Sequence, residues 1–413
     1  MNKTPHFQVL AKPIGPLCNM DCTYCFYLEK ELLFLKDSAA RKLNWVMPDE
    51  ILENYIQQKL QSNALTEETF VWQGGEPTLL GLDYFHKIVQ IQQKYRNGKT
   101  IQNSLQTNGI LIDEDWCQFF AEFNFLIGIS IDGPRELHNR LRIDKGGKPT
   151  FDKVMQALNL LVKHRVEFNT LTTVHSFNAS YPLEIYHFLK DIGSQYMQFI
   201  PIVERIAESE AADELAANMP DNNNATVTEW SVKPEQYGKF LISIFDEWVR
   251  TDVGKIFVQT FDVSLEAWYG RPTSLCIFNE TCGQAPVIEH NGDIYSCDHF
   301  VYPENKIGNI QNDSLLKILQ SPRQLKFGNE KRDSLPHFCR QCEFRFACHG
   351  ECPKNRFLLT EDGEFGLNYL CAGYKMYFEH IDPHMKYMVN ELKSRHSPAN
   401  IMNWIAEMEL IEI

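Results

Sequence analysis

Along the first half of the chain, short apolar runs alternate with stretches in which apolar positions recur every three or four residues. The runs are Phe7–Ile14, Thr69–Gln73, Ile101–Thr107, Phe125–Ile131, Phe168–His175 and Met197–Val203. Between them the spacing predicts helices near 48–62, 82–96, 113–123, 151–164 and 181–191. Pro48 before Asp49 and Glu50, and Pro182 before Leu183 and Glu184, suit helix starts. A proline gives up an N–H that the first turn leaves unpaired, and carboxylates favour the positive end of the helix dipole. Six strands alternating with helices imply a parallel sheet with right-handed crossovers, either open or curled into a partial (β/α)6 barrel. The strands end in Gly-rich polar turns, Gln73–Pro77, Thr107–Gly109 and Ser130–Pro134. Parallel α/β folds bind their ligands at those carboxyl ends.

The alternation stops near residue 204. Residues 204–230 are acidic and rich in Ala and Asn, without a strand period, and read as an insertion: a solvated loop or a lid. A helix is predicted over 234–250, Cys-rich short segments with turns such as Asn291-Gly292-Asp293 follow from about 270, and a mostly helical tail closes the chain. The expected organisation is an α/β domain over 1–250, a Cys-rich domain over 251–380 and a helical tail over 381–413.

Composition narrows the class. The chain has 413 residues, a formal charge of −14 and 44% hydrophobic residues, which excludes a disordered chain. No apolar run reaches the ~18–20 residues that span a bilayer. The acidic balance argues against a sequence-independent grip on nucleic acid or on an anionic membrane. No charged-then-apolar leader opens the chain, so a cytoplasmic location is expected. Twelve cysteines are out of keeping with that setting, because structural disulfides are uncommon in a reducing compartment and clustered Cys there point to metal or redox chemistry.

The positions sharpen the point. Cys18, Cys22 and Cys25 form one group, Cys276, Cys282 and Cys297 a second, and Cys339, Cys342, Cys348 and Cys352 a third, with Cys371 nearby. Cys117 stands alone in a helical apolar pattern and reads as a core thiol. Structural zinc takes four tetrahedral ligands, usually as two separated C-x2-C pairs. Three thiolates within eight residues instead suit three corners of a [4Fe–4S] cube with one iron left open. For the later groups two readings stand, since Cys339-x2-Cys342 is also half a zinc ribbon.

The first group, C-x3-C-x2-C just after the first strand with Tyr24 beside Cys25, resembles the radical S-adenosylmethionine (SAM) superfamily. That resemblance implies that the open iron chelates SAM. It also implies that Gln73, Gly74, Gly75 and Glu76 hold the SAM amino group, that Ser130 and Arg142 contact its ribose or carboxylate, and that Val203 packs on adenine. An Arg suits a carboxylate through its planar fork. Each has a plainer reading: a strand-exit turn, a surface charge, a core valine. The later cysteines are similar to the SPASM extension of enzymes that modify peptides. By that resemblance Cys276, Cys282, Cys297 and Cys352 hold one auxiliary [4Fe–4S] cluster, and Cys339, Cys342, Cys348 and Cys371 another. Three clusters then use eleven of the twelve cysteines, and His290, His299, His337 and His349 remain structural.

Further segments narrow the resemblance. Ala11-Lys12-Pro13, Cys25-Phe26-Tyr27-Leu28-Glu29-Lys30, Trp72–Thr78, Gln106-Thr107-Asn108-Gly109, Ser130–Pro134, Gln198–Pro201, Cys297-Asp298 and Leu367-Asn368-Tyr369 together are similar to anaerobic sulfatase-maturating enzymes. The resemblance implies oxidation of a Cys or Ser in a C/S-x-P-x-R motif of an unfolded or nascent sulfatase to Cα-formylglycine. The substrate radical's electron would pass to an auxiliary cluster, and a ferredoxin or flavodoxin would be the reductant. Asp298 matches the family's proposed base, and burial beside a negative cluster predicts a raised carboxyl pKa. The alternative is another SPASM peptide maturase that forms thioether crosslinks. Those enzymes usually carry an N-terminal peptide-docking domain, whereas 17 residues precede Cys18 here.

Overall fold

The computed structural model describes residues 7–28, 30, 45–62, 65–206 and 226–411. Strands β1 (Leu10–Lys12), β2 (Glu67–Trp72), β3 (Thr100–Thr107), β4 (Phe125–Ser130), β5 (Phe168–Val174) and β6 (Tyr196–Pro201) alternate with helices Asp49–Gln61, Leu82–Tyr95, Glu114–Glu122, Phe151–Lys163 and Pro182–Asp191. The expected α/β alternation therefore stands, with ends shifted by a few residues where turns compete. Local chemistry sets several ends: Asp113 caps its helix by accepting from the Trp116 N–H at 3.0 Å, and Pro182 opens the next but one. Of the expected insertion only the ends fall among the described residues, where β7 (Arg205–Ile206) and β8 (Thr226–Val227) pair antiparallel; 207–225 lie outside them. Further strands are β9 (Phe257–Val258), β10 (Val287–Glu289), β11 (Asp293–Tyr295) and β12 (Lys306–Asn309).

The contacts divide the chain into two compact units. The first comprises Met1–Ile131, His138–Asn169 and Cys282–Asn329. Its strands run in the order β12-β11-β10-β1-β2-β3-β4, parallel from β10 through β4, with β11 and β12 antiparallel. Tyr55, Phe70 and Trp72 pack under the sheet, Phe70 stacked on Trp72 at 5.8 Å, beside an aromatic cluster of Phe85, Trp116, Phe119, Phe120 and Phe125. Cys117 is fully buried there.

The second unit comprises Asp132–Leu137, Thr170–Thr281 and Glu330–Ile413. Its parallel strands β5, β6 and β9 are accompanied by the helix Pro234–Thr251 and a 23-residue helix, Cys371–Lys393. These two helices touch backbone to backbone, since a Cβ on Gly373 would lie 2.0 Å from the Pro234 carbonyl oxygen. Tyr237, Phe245, Phe261, Tyr374 and Tyr377 fill the core around that contact.

The division does not follow the expected boundaries at 250/251 and 380/381. Residues 282–329, expected in the Cys-rich domain, join the first unit because β10 adds to the free edge of β1, with Leu10 opposite Val287 and Lys12 opposite Glu289. The helix Cys371–Lys393 runs unbroken through 380.

Candidate functional site

In the first unit the chain leaves β1 through Gly15, whose φ of 55° and tight packing against His290 favour a residue without a Cβ. It then enters the three-Cys loop, where Cys18, Cys22 and Cys25 are each partly exposed. The Gly74-Gly75-Glu76 turn at the end of β2 is stitched to this loop by main-chain bonds: Gly75 donates to Gly15 at 2.8 Å and Glu76 to Leu17 at 2.9 Å. A Cβ on Gly75 would fall 2.1 Å from the Leu17 oxygen, so only glycine permits the contact. Burial pushes the Cys18 thiol up to about 11, with Glu76 and Cys25 adding to it and the Met20 amide opposing. Burial also raises Cys25, against the pull of Arg142 and Lys12. Metal binding at these thiols must therefore release protons.

Glu76 is fully buried, and four donors surround its carboxylate. Oε1 accepts from the Thr78 amide (3.0 Å), the Thr78 hydroxyl (2.6 Å) and the Thr107 hydroxyl (2.7 Å), and Oε2 from the Asn108 amide (2.8 Å). Burial raises its pKa despite these bonds. The carboxylate thus ties the turn after β2 to the end of β3. Asn108 carries the link on, donating to Asn19 at 2.8 Å and approaching Cys18 Sγ at 3.8 Å. Among the other expected contacts, Gln73 donates its amide to Ala11, the Arg142 guanidinium lies 5.5 Å from the Tyr24 ring centroid, and Ser130 accepts from Gln106 Nε2 at 3.1 Å. Val203 is buried and belongs to the second unit.

A second group of charges lies in the same unit. Lys12, 2% exposed, forms an ion pair with Asp298, whose side chain stays 22% exposed, and sits 3.3 Å over the Tyr27 ring. The Tyr27 hydroxyl lies 2.8 Å from both oxygens of the fully buried Glu289. The expected rise in the Asp298 pKa rests on burial beside a negatively charged cluster; the protein's own cations act in the opposite direction. Burial pushes the carboxyl up, but the Lys12 ammonium, His299 and Lys30 together bring it below its ordinary value.

In the second unit one cavity is lined by Cys339, Cys342, Cys348 and Cys371, with Phe338, Arg345, Asn368 and Tyr374 completing the wall. Cys352 is not in that lining. Burial pushes Cys348 up to about 12 and Cys371 up to about 11, with neighbouring thiols adding to both shifts. Four thiols around a common space are the donor set of a protein-ligated cube or of a tetrahedral zinc ion. Of the other expected set, Cys282 and Cys297 lie in the first unit and Cys276 and Cys352 in the second. Lys331, 1% exposed, donates to the Cys276 and Ile277 carbonyls at 3.0 and 2.6 Å. His290 packs on Trp45 and His299 on Phe26; no histidine lines the four-thiol cavity.

Sequence reasoning assigned no role to Lys12, Tyr27, Glu289, Thr107, Asn108 or Arg356. The signal for Lys12, Tyr27, Thr107 and Asn108 was their place in the segments Ala11–Pro13, Cys25–Lys30 and Gln106–Gly109 that carry the family resemblance.

Residues 13–189 match the profile of the radical SAM superfamily, and residues 276–343 that of an iron–sulfur cluster-binding domain, SPASM. The chain is 48% identical over 402 residues to a serine-type anaerobic sulfatase-maturating enzyme of Bacteroides thetaiotaomicron, covering 97% of this chain and 96% of that one. It is 35% identical to a cysteine-type enzyme of Clostridium perfringens over 94% of this chain and 100% of that one. Among solved structures, anSMEcpe with bound AdoMet and Cp18Cys peptide superposes with a TM-score of 0.79 at 34% identity, over 93% of this chain and 99% of that one. SuiB bound to its precursor peptide SuiA, from Streptococcus suis, gives 0.60 at 14% identity over 89% and 76%, a likeness of fold alone.

Proposed function

The chain belongs to the anaerobic sulfatase-maturating enzymes, and from that premise we propose how its residues divide the work of oxidising a sulfatase Cys or Ser to Cα-formylglycine. Cys18, Cys22 and Cys25 hold the SAM-binding [4Fe–4S] cluster. Tyr24, the Gln73–Glu76 turn, Ser130, Arg142 and Val203 hold SAM. Cys276, Cys282, Cys297 and Cys352 hold one auxiliary cluster, and Cys339, Cys342, Cys348 and Cys371 the other. When bound, the first cluster and SAM supply a 5′-deoxyadenosyl radical that removes a Cβ hydrogen, and the auxiliary clusters supply electron acceptance.

What the protein's own groups do follows from the Lys12–Asp298 pair, the observation that carries this reading. Lys12 acts electrostatically on Cys25 and is paired with Asp298, so the carboxylate is held at the three-Cys loop. Its lowered pKa keeps it ionised near neutral pH, and its partial exposure lets a substrate thiol or hydroxyl reach it. Asp298 accepts that proton. Tyr27, pinned on Glu289, walls the Lys12 ammonium on its other side and fixes its direction. The Glu76 carboxylate sets the turn rather than meeting a ligand directly, which leaves the main chain of Gln73–Gly75 to face the SAM amino group.

The substrate is a sulfatase segment carrying C-x-P-x-R or S-x-P-x-R, and a ferredoxin or flavodoxin supplies electrons. The twelve free thiols suit a reducing cytoplasm, where the sulfatase is modified before export. Among the described residues no helix is long and apolar enough to cross a membrane. The test incubates the reduced, reconstituted chain with SAM and such a peptide. Aldehyde product by mass spectrometry together with deoxyadenosine is expected; deoxyadenosine without aldehyde overturns the assignment.

A further inference from the structure

The spacer between Cys348 and Cys352 has an unusual backbone. His349, Gly350 and Glu351 take φ values of 47°, 73° and 53°, three successive residues in the left-handed region. For residues bearing a Cβ each such conformation costs roughly 1–2 kcal/mol, so the segment needs external support. One side chain gives it. Arg356, 5% exposed, donates Nε to the Gly350 carbonyl at 2.7 Å and Nη2 to those of His349 (2.6 Å) and Glu351 (3.1 Å). Its Nη1 donates to the Lys331 carbonyl at 2.6 Å. All three carbonyls of the left-handed turn therefore converge on one guanidinium. The turn is also tied to the fourth cavity thiol: buried Glu351 accepts from Asn368 Nδ2 at 2.5 Å, and Asn368 accepts the Cys371 amide at 3.0 Å.

We propose that Arg356 is the positioning residue of the four-thiol cavity, its guanidinium fork holding the Cys348–Cys352 spacer left-handed so that Cys348 enters the cavity and Cys352 is turned out of it. A run of ordinary helical φ values would carry the helix Arg345–Cys348 onward and place Cys352 one turn above Cys348 on the same face. The spacer prevents that, and separates two thiols that are only four residues apart. A lysine has no planar fork and could reach one or two of the four carbonyls. Gly350 is part of the device: a Cβ there would fall 2.6 Å from Arg356 Nη2 and 2.4 Å from Leu335 Cδ2.

The proposal rests on the cavity holding an iron–sulfur cluster, and the experiment keeps the two claims apart. Full-length wild type, Arg356→Met, Arg356→Lys and Gly350→Ala are reconstituted anaerobically with iron and sulfide, then assayed for iron content and by EPR of the reduced protein with and without SAM. Wild type is expected to carry about twelve iron, three cubanes; a wild type that stops at about four overturns the cluster reading itself. Each variant is expected to lose roughly one to two thirds of its iron, the content of one or both of the cubanes served by Cys348 and Cys352, while the SAM-perturbed EPR signal persists. Retention of all iron in Arg356→Met overturns the role. So does proportional loss from all three sites. Full iron in Arg356→Lys and Gly350→Ala, with loss only in Arg356→Met, assigns the effect to charge and overturns positioning by the fork.

Discussion

The three-Cys loop of the first unit and the four-Cys cavity of the second bind their thiols into the fold by opposite means. At the loop the organising group is an anion: Glu76, buried and surrounded by hydroxyl and amide donors, adds to the rise in the Cys18 pKa. At the cavity it is a cation: Arg356 gathers carbonyls and pulls against the rise at Cys339. On the proposed assignment the difference follows the thiolate count. A cube held by three thiolates carries one negative charge less than a cube held by four, and a site that must also receive the sulfonium of SAM tolerates a nearby carboxylate. A closed four-thiolate site would have no such ligand, and a guanidinium nearby suits it.

The largest expected effect separates the two sites outright. Cys22→Ala is expected to reduce deoxyadenosine formation to background. Cys348→Ala is expected to lose aldehyde product while its reduced EPR spectrum still responds to SAM. Identical behaviour of the two variants would erase the contrast.

Next comes the proton acceptor. Asp298→Asn is expected to lower the aldehyde rate by about 10²–10⁴ with peptide substrate, the range for loss of a positioned base, while SAM is still cleaved. An unchanged aldehyde rate would remove Asp298 from the chemistry. Glu76→Gln tests the anionic organiser more gently. An amide turned toward the Asn108 N–H opposes donor to donor, a loss of about 1–3 kcal/mol. SAM affinity measured by calorimetry is expected to fall about tenfold or more, since each 1.4 kcal/mol is a factor of ten.

The smallest effect concerns a carboxylate of the second unit, Asp262, whose neighbour Glu266 adds to the cost of its burial. Burial and Glu266 push Asp262 up to about 7. The folded chain therefore keeps a proton that the unfolded chain has released, and stability falls as pH rises from ~4 through ~7. Asp262→Asn is expected to gain stability at pH 8, read as a rise of a few degrees at most in the thermal midpoint, and nothing near pH 3. An equal gain at both pH values would assign the effect to packing.

Much of this organisation was legible beforehand, and for definite reasons. The six strands from Leu10 to Pro201 and the five helices predicted between them announce themselves through apolar period and proline or acidic starts, which are local signals; the short helix Arg135–Leu141 does not. The cysteine groups are legible because spacing and number constrain metal chemistry. The cavity around Cys339, Cys342, Cys348 and Cys371 brings together the four residues that resemblance had grouped. Contacts far apart in the chain were not legible. Nothing near Val287 says that it pairs with Leu10. Nothing near Glu76 says that its carboxylate also reaches Thr107 and Asn108. The pull of Lys12 on Asp298 was not legible for the same reason, because the two lie at opposite ends of the sequence.

The pairing of β10 with β1 also has a consequence in time. During synthesis Lys12 leaves the ribosome early, whereas Glu289 and Asp298 emerge only after most of the chain has been made. At ~5–20 residues per second that interval is of the order of tens of seconds. Through it the nascent N-terminal segment holds its three thiols without the edge strand and without the carboxylate. On the proposed roles the proton acceptor therefore joins the three-Cys loop late in synthesis, and a translation product truncated before Asp298 carries the cysteines of the first loop without it.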